Sequence, residues 1–444
     1  MKNAFCLLAV LLVLFSCQHE LNWPPGPDKD LPVVSTDTAA SITGNSAVSG
    51  GNISSAGTSA VTARGVCWST SANPTITGYH TSDGTGTGVF TSNMAPLTPG
   101  TTYYVRAYAT NSTGTAYGNE LSFTTTGTAP RAYVAGYEEL TLPTLRTIPT
   151  IWEKPAATGL GNARVAYAYD VFVVGNDVYV SGADWSTNAS LMAMLWKNGV
   201  PVQLTGGTTE AQAYALFVSG MDVYAAGYEY SNTGNRRATV WKNGMATVLP
   251  DGTGHATATS VFVSGTDVYV AGWQSDGPGS KSTAVVWKNG TPVSLTNGTY
   301  NAEASSVFVS GNDVYVAGGE DNASGNSVAK VWKNGVAAPL TDGTMYGMAH
   351  GVAVSGTDVY VAGIEKTITN STGRVWKNGA VLYTFDQYNY TVITSLFVSG
   401  PDVYAAGSGQ RTGSHTVARL WKNGAEVYIA NEMNTSFAYG LFVK

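Results

Sequence analysis

A tetrapeptide that returns at a nearly fixed interval constrains this chain more than any other feature. Trp-Lys-Asn-Gly begins at Trp196, Trp241, Trp287, Trp332, Trp376 and Trp421, and Trp152 opens a degenerate copy, Trp-Glu-Lys-Pro; the spacing is 44 to 46 residues throughout. A second motif, Asp-Val-Tyr followed by Val or Ala, begins at Asp177, Asp222, Asp267, Asp313, Asp358 and Asp402, with Ala132-Tyr133-Val134-Ala135-Gly136 as a divergent seventh copy. A third, an aliphatic residue with Phe or Ala and then Val, stands at Val171, Leu216, Val261, Val307, Val352, Leu396 and Leu441. A period of this length means that one supersecondary unit is stacked on copies of itself.

The unit holds four strands. Ser-Val-Phe-Val-Ser-Gly and Asp-Val-Tyr-Val-Ala-Gly meet at a tight Gly-x-Asp turn, and after a variable loop comes Ala-x-Val-Trp-Lys. Asn-Gly then joins this third strand to a short fourth such as Pro292 to Leu295, and Asn-Gly is the strongest short hairpin signal. Four antiparallel strands in each 45-residue unit, seven times over, predict a seven-bladed β-propeller from residue 131 to 444. A β-solenoid needs shorter, parallel rungs and does not fit. The repeat array opens on a second-strand motif at Tyr133 and ends on a first-strand motif at Leu441-Phe442-Val443. One blade is therefore expected to take its inner strand from the C-terminal segment, which hides both edges of the array.

Charged residues make up 12% of the chain and the formal charge of −6 is spread thinly. No Lys/Arg stripe is present to neutralise phosphates, so nucleic acid is not an expected partner. The fold class is all-β: 52 glycines, 25 tyrosines and 11 tryptophans accompany short Val/Tyr/Phe runs between turn clusters.

The first residues read as an export signal, with Lys2 followed by an apolar stretch, Leu7 to Phe15, too short to span a bilayer. Its end, Leu14-Phe15-Ser16-Cys17, resembles the bacterial lipoprotein signal, with Phe15 bulkier than is usual there. The resemblance implies cleavage after residue 17's predecessor, acylation of Cys17 and, with Gln18 following, an outer-membrane or cell-surface location anchored by lipid. Residues 18–32, with Pro24, Pro25, Pro27 and Pro32, read as a tether. Cys6 would leave with the signal and Cys17 would be lipidated, so Cys67 has no intramolecular partner and reads as a small buried apolar residue.

Residues 33–126 show short alternating strands, among them Val61 to Ser69, Thr102 to Ala109 and Leu121 to Thr125, with a hairpin at Gly114 to Gly118. The segment Leu97-Thr98-Pro99-Gly100 running into Tyr103-Tyr104-Val105-Arg106-Ala107-Tyr108 resembles the fibronectin type III family. That resemblance implies an Ig-like β-sandwich serving as a spacer. The propeller repeats resemble bacterial propellers with Val-x-Val inner strands. They lack the paired glycines of kelch repeats, the Trp-Asp of the WD family and the Asp-box of sialidases.

Function is expected on the variable face, away from the near-identical turns. An acidic residue follows the second strand at Glu138, Asp184, Glu229, Glu320 and Glu365, while Gln274 and Gly409 break the series. Such carboxylates suit a cation or sugar hydroxyls, or equally loop amides. Before the inner strands stand Tyr167, Tyr169, Tyr214, His350, Phe437 and Tyr439, with Tyr300, Tyr346, Tyr388 and Tyr390 a little earlier. Aromatic faces there suit a sugar ring or a protein anchor, or simple packing of the loop layer. The Asp and Lys of the repeated turns are expected to serve turn amides and solvent respectively.

Catalysis finds little support. His255, His350 and His415 fall in different repeats without metal-ligand spacing, and Asp276-Gly-Pro-Gly and Asp321-Asn-Ala-Ser-Gly lack the ladder of oxygen ligands a calcium loop needs. The expectation is a non-enzymatic surface binding module without cofactor or metal. It holds a glycan or protein ligand through Tyr169, Tyr214, His350, Tyr439 and the five carboxylates. The alternatives are a structural or adhesive component and a carbohydrate-active enzyme using two carboxylates.

Overall fold

A computed structural model describes residues 30–127, 130–140, 146–153, 156–160, 165–185, 190–250, 254–277, 279–367, 369–428 and 430–444. The export signal, Cys17 and most of the tether lie outside these residues. The chain divides into two compact units, Met1–Ala95 with Thr101–Thr126, and Pro96–Gly100 with Gly127–Lys444.

In the first unit Val33–Ala40, Ala47–Ser55 and Gly88–Met94 form one antiparallel sheet. Tyr79–His80, Ala63–Ser69, Thr102–Asn111 and Gly114–Tyr117 form a second, and Leu121–Thr124 also pairs with Thr102–Asn111. Ile53, Val66, Trp68, Phe90 and Val105 are buried in this unit, and each sheet alternates inward apolar with outward polar residues. Cys67 is buried and unpaired, and burial pushes its thiol up to about 11, which leaves it inert near neutral pH.

The second unit is built from four-stranded antiparallel sheets, seven among the described residues, numbered here in chain order. Ala132–Leu140, Arg146–Glu153 and Ala156–Gly159 supply three strands of the first sheet, and Thr435–Val443 pairs with Ala132–Leu140 as its fourth and innermost. Sheets two to seven each run inner to outer in sequence order, with inner strands Ala166–Val174, Ala211–Ser219, His255–Ser264, Ala302–Ser310, Tyr346–Ser355 and Tyr390–Ser399. A single parallel bridge, Ser371 to Tyr390, links the sixth and seventh sheets. Each inner strand touches the next in order, and Thr435–Val443 touches the inner strands of both the second and the seventh sheets, so the series closes on itself. A closed ring of radial four-stranded sheets is a β-propeller.

The repeated turns are fixed by side chains. In each Asn-Gly of the six Trp-Lys-Asn-Gly motifs both residues have positive φ, for example Asn334 at 51° and Gly335 at 83°, as a type I′ hairpin requires. Asn334 Oδ1 accepts from the Val314 amide at 2.8 Å, and Asn334 Nδ2 donates to Asp313 Oδ1 at 2.8 Å. The same pair of bonds recurs at Asn198, Asn243, Asn289, Asn378 and Asn423. The other Asp oxygen takes the motif lysine, as in Lys333 Nζ to Asp313 Oδ2 at 2.7 Å, and the ammonium lies 5.3 Å from the centre of the Tyr315 ring. These lysines are therefore not merely solvated, as the sequence suggested, but clasp the neighbouring strand; solvent screening keeps each exposed pair weak. In the first sheet the polarity is exchanged, with Arg131 at the Asp position paired to Glu153 at 2.7 Å.

Each motif tryptophan is almost fully buried against the preceding sheet: Trp332 sits with Tyr269, Ala271 and Val286, and Trp152 with Tyr404, Ala406 and Leu420 of the seventh sheet. One side chain of this size removes some 150–250 Å² from water, about 4–6 kcal/mol of transfer free energy before entropy is counted. This interface recurs at every junction, so the sheets are held by packing without any disulfide among the described residues.

Candidate functional site

All seven inner strands slip register at one point. Pairing with the second strand skips Tyr169, Tyr214, Thr259, Ser305, His350, Thr394 and Tyr439, each the extra residue of a β-bulge. The repeated glycine of the second strand explains why the bulge fits. A Cβ on Gly182 would stand 1.9 Å from the Tyr167 carbonyl oxygen, and one on Gly318 2.0 Å from that of Glu303. The bulge also frees the amide two positions on, which the neighbouring sheet can use: the Leu216 amide donates to Asp170 Oδ2 at 2.9 Å, and the Val307 amide to Ser260 Oγ at 3.2 Å.

The bulges re-aim their side chains into a cavity of about 510 Å³ at the mouth of the central channel, lined by all seven bulge residues together with Thr257, Trp273, Arg236, Glu303 and Val392. One half of the rim is aromatic. Rings follow in contact from Phe437 through Tyr137 and Tyr439 to Tyr169, Tyr214 and Tyr228, with centroids 5.1 to 5.9 Å apart. Burial pushes the phenol pKa of Tyr169, Tyr214 and Tyr439 upward, so all three remain hydroxyls. Tyr169 donates to Gln212 Oε1 at 2.7 Å, Gln212 Nε2 donates to Tyr228 at 2.8 Å, and Tyr228 donates to Glu210. The chain of bonds fixes the orientation of this wall.

The other half is polar. His350 Nδ1 lies 2.6 Å from the Ile393 carbonyl oxygen, an acceptor, so Nδ1 carries the proton and Nε2 is left as an acceptor. Burial, helped by Lys366, lowers the His350 pKa and keeps the ring neutral. Below the mouth the channel narrows to a polar throat with Asp170, Ser260, Ser306 and Ser395 in its wall. The Asp170 carboxyl accepts from the Val171 and Leu216 amides, and burial raises its pKa to about 7 against those two bonds. Deeper still, Phe308, Phe262, Phe217, Phe172, Phe442 and Phe397 contact one another in that order with centroids 4.7 to 5.1 Å apart. This apolar collar is interrupted at Ala353, and none of its rings lines the mouth or the throat.

Tyr169, Tyr214, His350 and Tyr439 are thus brought together. The five carboxylates are not, and none lines the cavity. Three of them engage the third strand of their own sheet: Glu320 pairs with Lys330 at 2.5 Å, Glu365 with Arg374 at 2.8 Å, and Glu138 accepts from Trp152 Nε1 at 3.4 Å. Glu229 accepts from Thr209 at 3.4 Å, and Asp184, its pKa raised by burial, has one oxygen without a hydrogen-bond partner. Arg236, Glu303 and Trp273 line the cavity, Tyr137 packs behind its aromatic wall, and none of the four carries a local motif. Glu303 stands two residues before its bulge, where the other sheets have Tyr167, Gln212, Thr257, Met348, Val392 and Phe437. Among the described residues no group of three or more His, Cys, Asp or Glu is placed to hold a metal ion.

No known family model matches the chain, and no curated protein matches it. Among solved structures it is similar to a puromycin-hydrolyzing peptidase of Mycobacterium tuberculosis, at 13% identity and TM-score 0.46, over 68% of this chain and 53% of that one. It is also similar to the β-propeller domain of the Trilobed protease from Pyrococcus furiosus, at 10% identity and TM-score 0.43, over 68% of this chain and 95% of that one. The chain spans about half the length of the peptidase. The propeller itself rests on the strand pairing, and the site on its bulges.

Proposed function

We propose that this protein is a lipid-anchored surface lipoprotein whose seven-bladed propeller holds a glycan or protein ligand at its channel mouth, and whose fibronectin type III-like unit is a spacer. The observation that carries the binding role is the convergence of seven bulge residues on one cavity, four of them aromatic or imidazole rings. A cavity of this size with a rigid aromatic wall and scattered hydroxyls suits a sugar ring or a peptide side chain. The spacer reading is supported by the two sheets of the first unit, and the anchor by the Leu14 to Cys17 motif.

Binding is favoured over glycoside hydrolysis by the distribution of carboxylates. Glu303 stands alone at the mouth among the described residues, and Asp170, deeper in the throat, has both oxygens engaged by backbone amides. The test is calorimetric titration of a ligand found by screening. Alanine at Tyr169, Tyr214 or Tyr439 should weaken binding by about 1–3 kcal/mol each, the range for aromatic anchors. Alanine at Lys242, Lys288 or Lys333 should leave it unchanged, with folding checked by circular dichroism. Loss of binding in the lysine set with retention in the tyrosine set would put the site on the turn face and end this reading.

A further inference from the structure

Two ionisable side chains in the cavity wall form no ion pair with any described residue. The Arg236 guanidinium lies 4.2 Å from the centre of the Tyr228 ring and 5.4 Å from that of Tyr230. Its Nη2 donates to the Tyr230 hydroxyl at 3.3 Å, while its buried Nε has no acceptor. No described carboxylate lies within ion-pair distance of it, whereas Lys330, Arg374 and Arg419 on other third strands are all matched by acids at 2.5 to 2.8 Å. Glu303, on the inner strand of the fifth sheet, is largely buried, which raises its carboxyl pKa, and has neither a hydrogen bond nor an ion pair with any described residue.

The two do not neutralise each other, since they too are farther apart than an ion pair. Tyr214 feels both: beyond the effect of burial, Arg236 and the hydrogen bond with Tyr228 pull its phenol pKa down, and Glu210 and Glu303 push it up. A ligand resting on Tyr214 therefore lies in the cavity that Arg236 and Glu303 both line. Holding two partly desolvated charges unpaired is costly, and a partner for each recovers that cost on binding. The stacked, tyrosine-bound guanidinium keeps its fork geometry, which matches a carboxylate.

We propose that the channel mouth binds a small zwitterion, its carboxylate on Arg236 and its ammonium on Glu303, with His350 Nε2 and the bulge hydroxyls taking the remaining polar groups. This rests on the channel-mouth reading above and names its ligand class. The shared chemistry is that of a free amino acid or short peptide and of an amino-sugar acid alike.

Isothermal titration of the full chain with alanyl-alanine, its N-acetyl derivative, its amide, muramic acid and maltose separates the cases. One or both zwitterions should bind, and removing either charge of alanyl-alanine, if that is the one bound, should weaken binding by roughly tenfold or more. Muramic acid binding alone assigns the amino-sugar source, and alanyl-alanine binding alone the peptide source. Arg236→Met should abolish discrimination between acid and amide for the peptide source, or weaken muramic acid roughly tenfold; Glu303→Gln should do the same for free and acetylated amine. Arg236→Lys serves if the methionine variant does not fold, with a smaller loss expected. The proposal falls if neither zwitterion binds, if a singly charged derivative binds as tightly, or if both charge variants leave affinity unchanged. Maltose binding that Tyr169→Ala weakens, without zwitterion binding, leaves the channel-mouth reading standing and removes this one. Zwitterion binding untouched by Tyr169→Ala, Arg236→Met and Glu303→Gln alike removes both.

Discussion

Adding one methyl group to Gly318 tests the bulge that builds the site. The new Cβ would lie 2.0 Å from the Glu303 carbonyl oxygen and 3.0 Å from the Ala304 Cα, both backbone atoms, so relief requires moving the inner strand by about 1 Å. Gly318 is not in the left-handed region, so alanine meets no backbone penalty there and the cost is steric. Overpacking against backbone belongs at the upper end of its usual range, about 3 kcal/mol, and alanine returns roughly 0.4–1 kcal/mol by restricting the unfolded chain. The net loss is about 2–3 kcal/mol. A domain of about 300 residues changes by ~0.6 kcal/mol per degree near its midpoint, so Tm should fall by about 4 °C. Gly319→Ala is the control, because its Cβ would meet the Met348 Sδ at 2.6 Å and the Ser327 Oγ at 2.8 Å, both side-chain ends that can move. Differential scanning calorimetry of the two variants reads the difference directly. Equal midpoints would refute the claim that the repeated glycine exists to admit the bulge.

Deleting Thr435 to Lys444 removes the inner strand of the first sheet and bares the edge of Ala132–Leu140; the product should aggregate on size-exclusion chromatography, and an unchanged monomer with unchanged unfolding would contradict closure. The Asp170 carboxyl, with a folded pKa of about 7 against roughly 3.9 unfolded, binds its proton more tightly in the fold, so its contribution should be present below pH ~4 and lost as pH rises through 7. Asp170→Ser, the residue found at Ser260, Ser306 and Ser395, should remove that component from a plot of Tm against pH, and parallel profiles would exclude it. Cys17→Ala should abolish incorporation of labelled fatty acid and release the protein from membrane fractions; a variant still processed and still membrane-bound would count against acylation there.

The strands and turns were legible because their signals are local: Asn-Gly demands two positive φ angles and Gly-x-Asp a tight reversal, so each repeat announces its hairpins. The bulge is not announced by the residues that form it, since Tyr, Thr, Ser and His share no property a bulge requires. Its trace is the glycine opposite, at Gly136, Gly182, Gly227, Gly272, Gly318, Gly363 and Gly407. Tyr169, Tyr214, His350 and Tyr439 could be found because they precede a recognisable Val-x-Val strand. The acidic series misled because position along a strand does not say which way the end of that strand leans, and Glu320 and Glu365 lean to a cation on the next strand. Arg236 and Glu303 come to line one cavity only because the sheets form a ring, which brings the start of one third strand and an inner strand two sheets away to the same mouth.

The side-chain clasp at the turns bears on chemical ageing. Asn-Gly is the sequence most prone to deamidation, because the glycine amide nitrogen can attack the asparagine carboxamide with little hindrance and form a succinimide. Six such pairs, those of the repeated Trp-Lys-Asn-Gly turns, are exposed, yet in each the carboxamide is held at both ends, its oxygen by a valine amide and its nitrogen by an aspartate. Rotation toward the glycine nitrogen would break both bonds. Conversion to aspartate would set two carboxylates against each other where a donor and an acceptor now meet. The bonds that shape the hairpins thus also slow the reaction that would unmake them, and that protection lasts only as long as the ring stays folded.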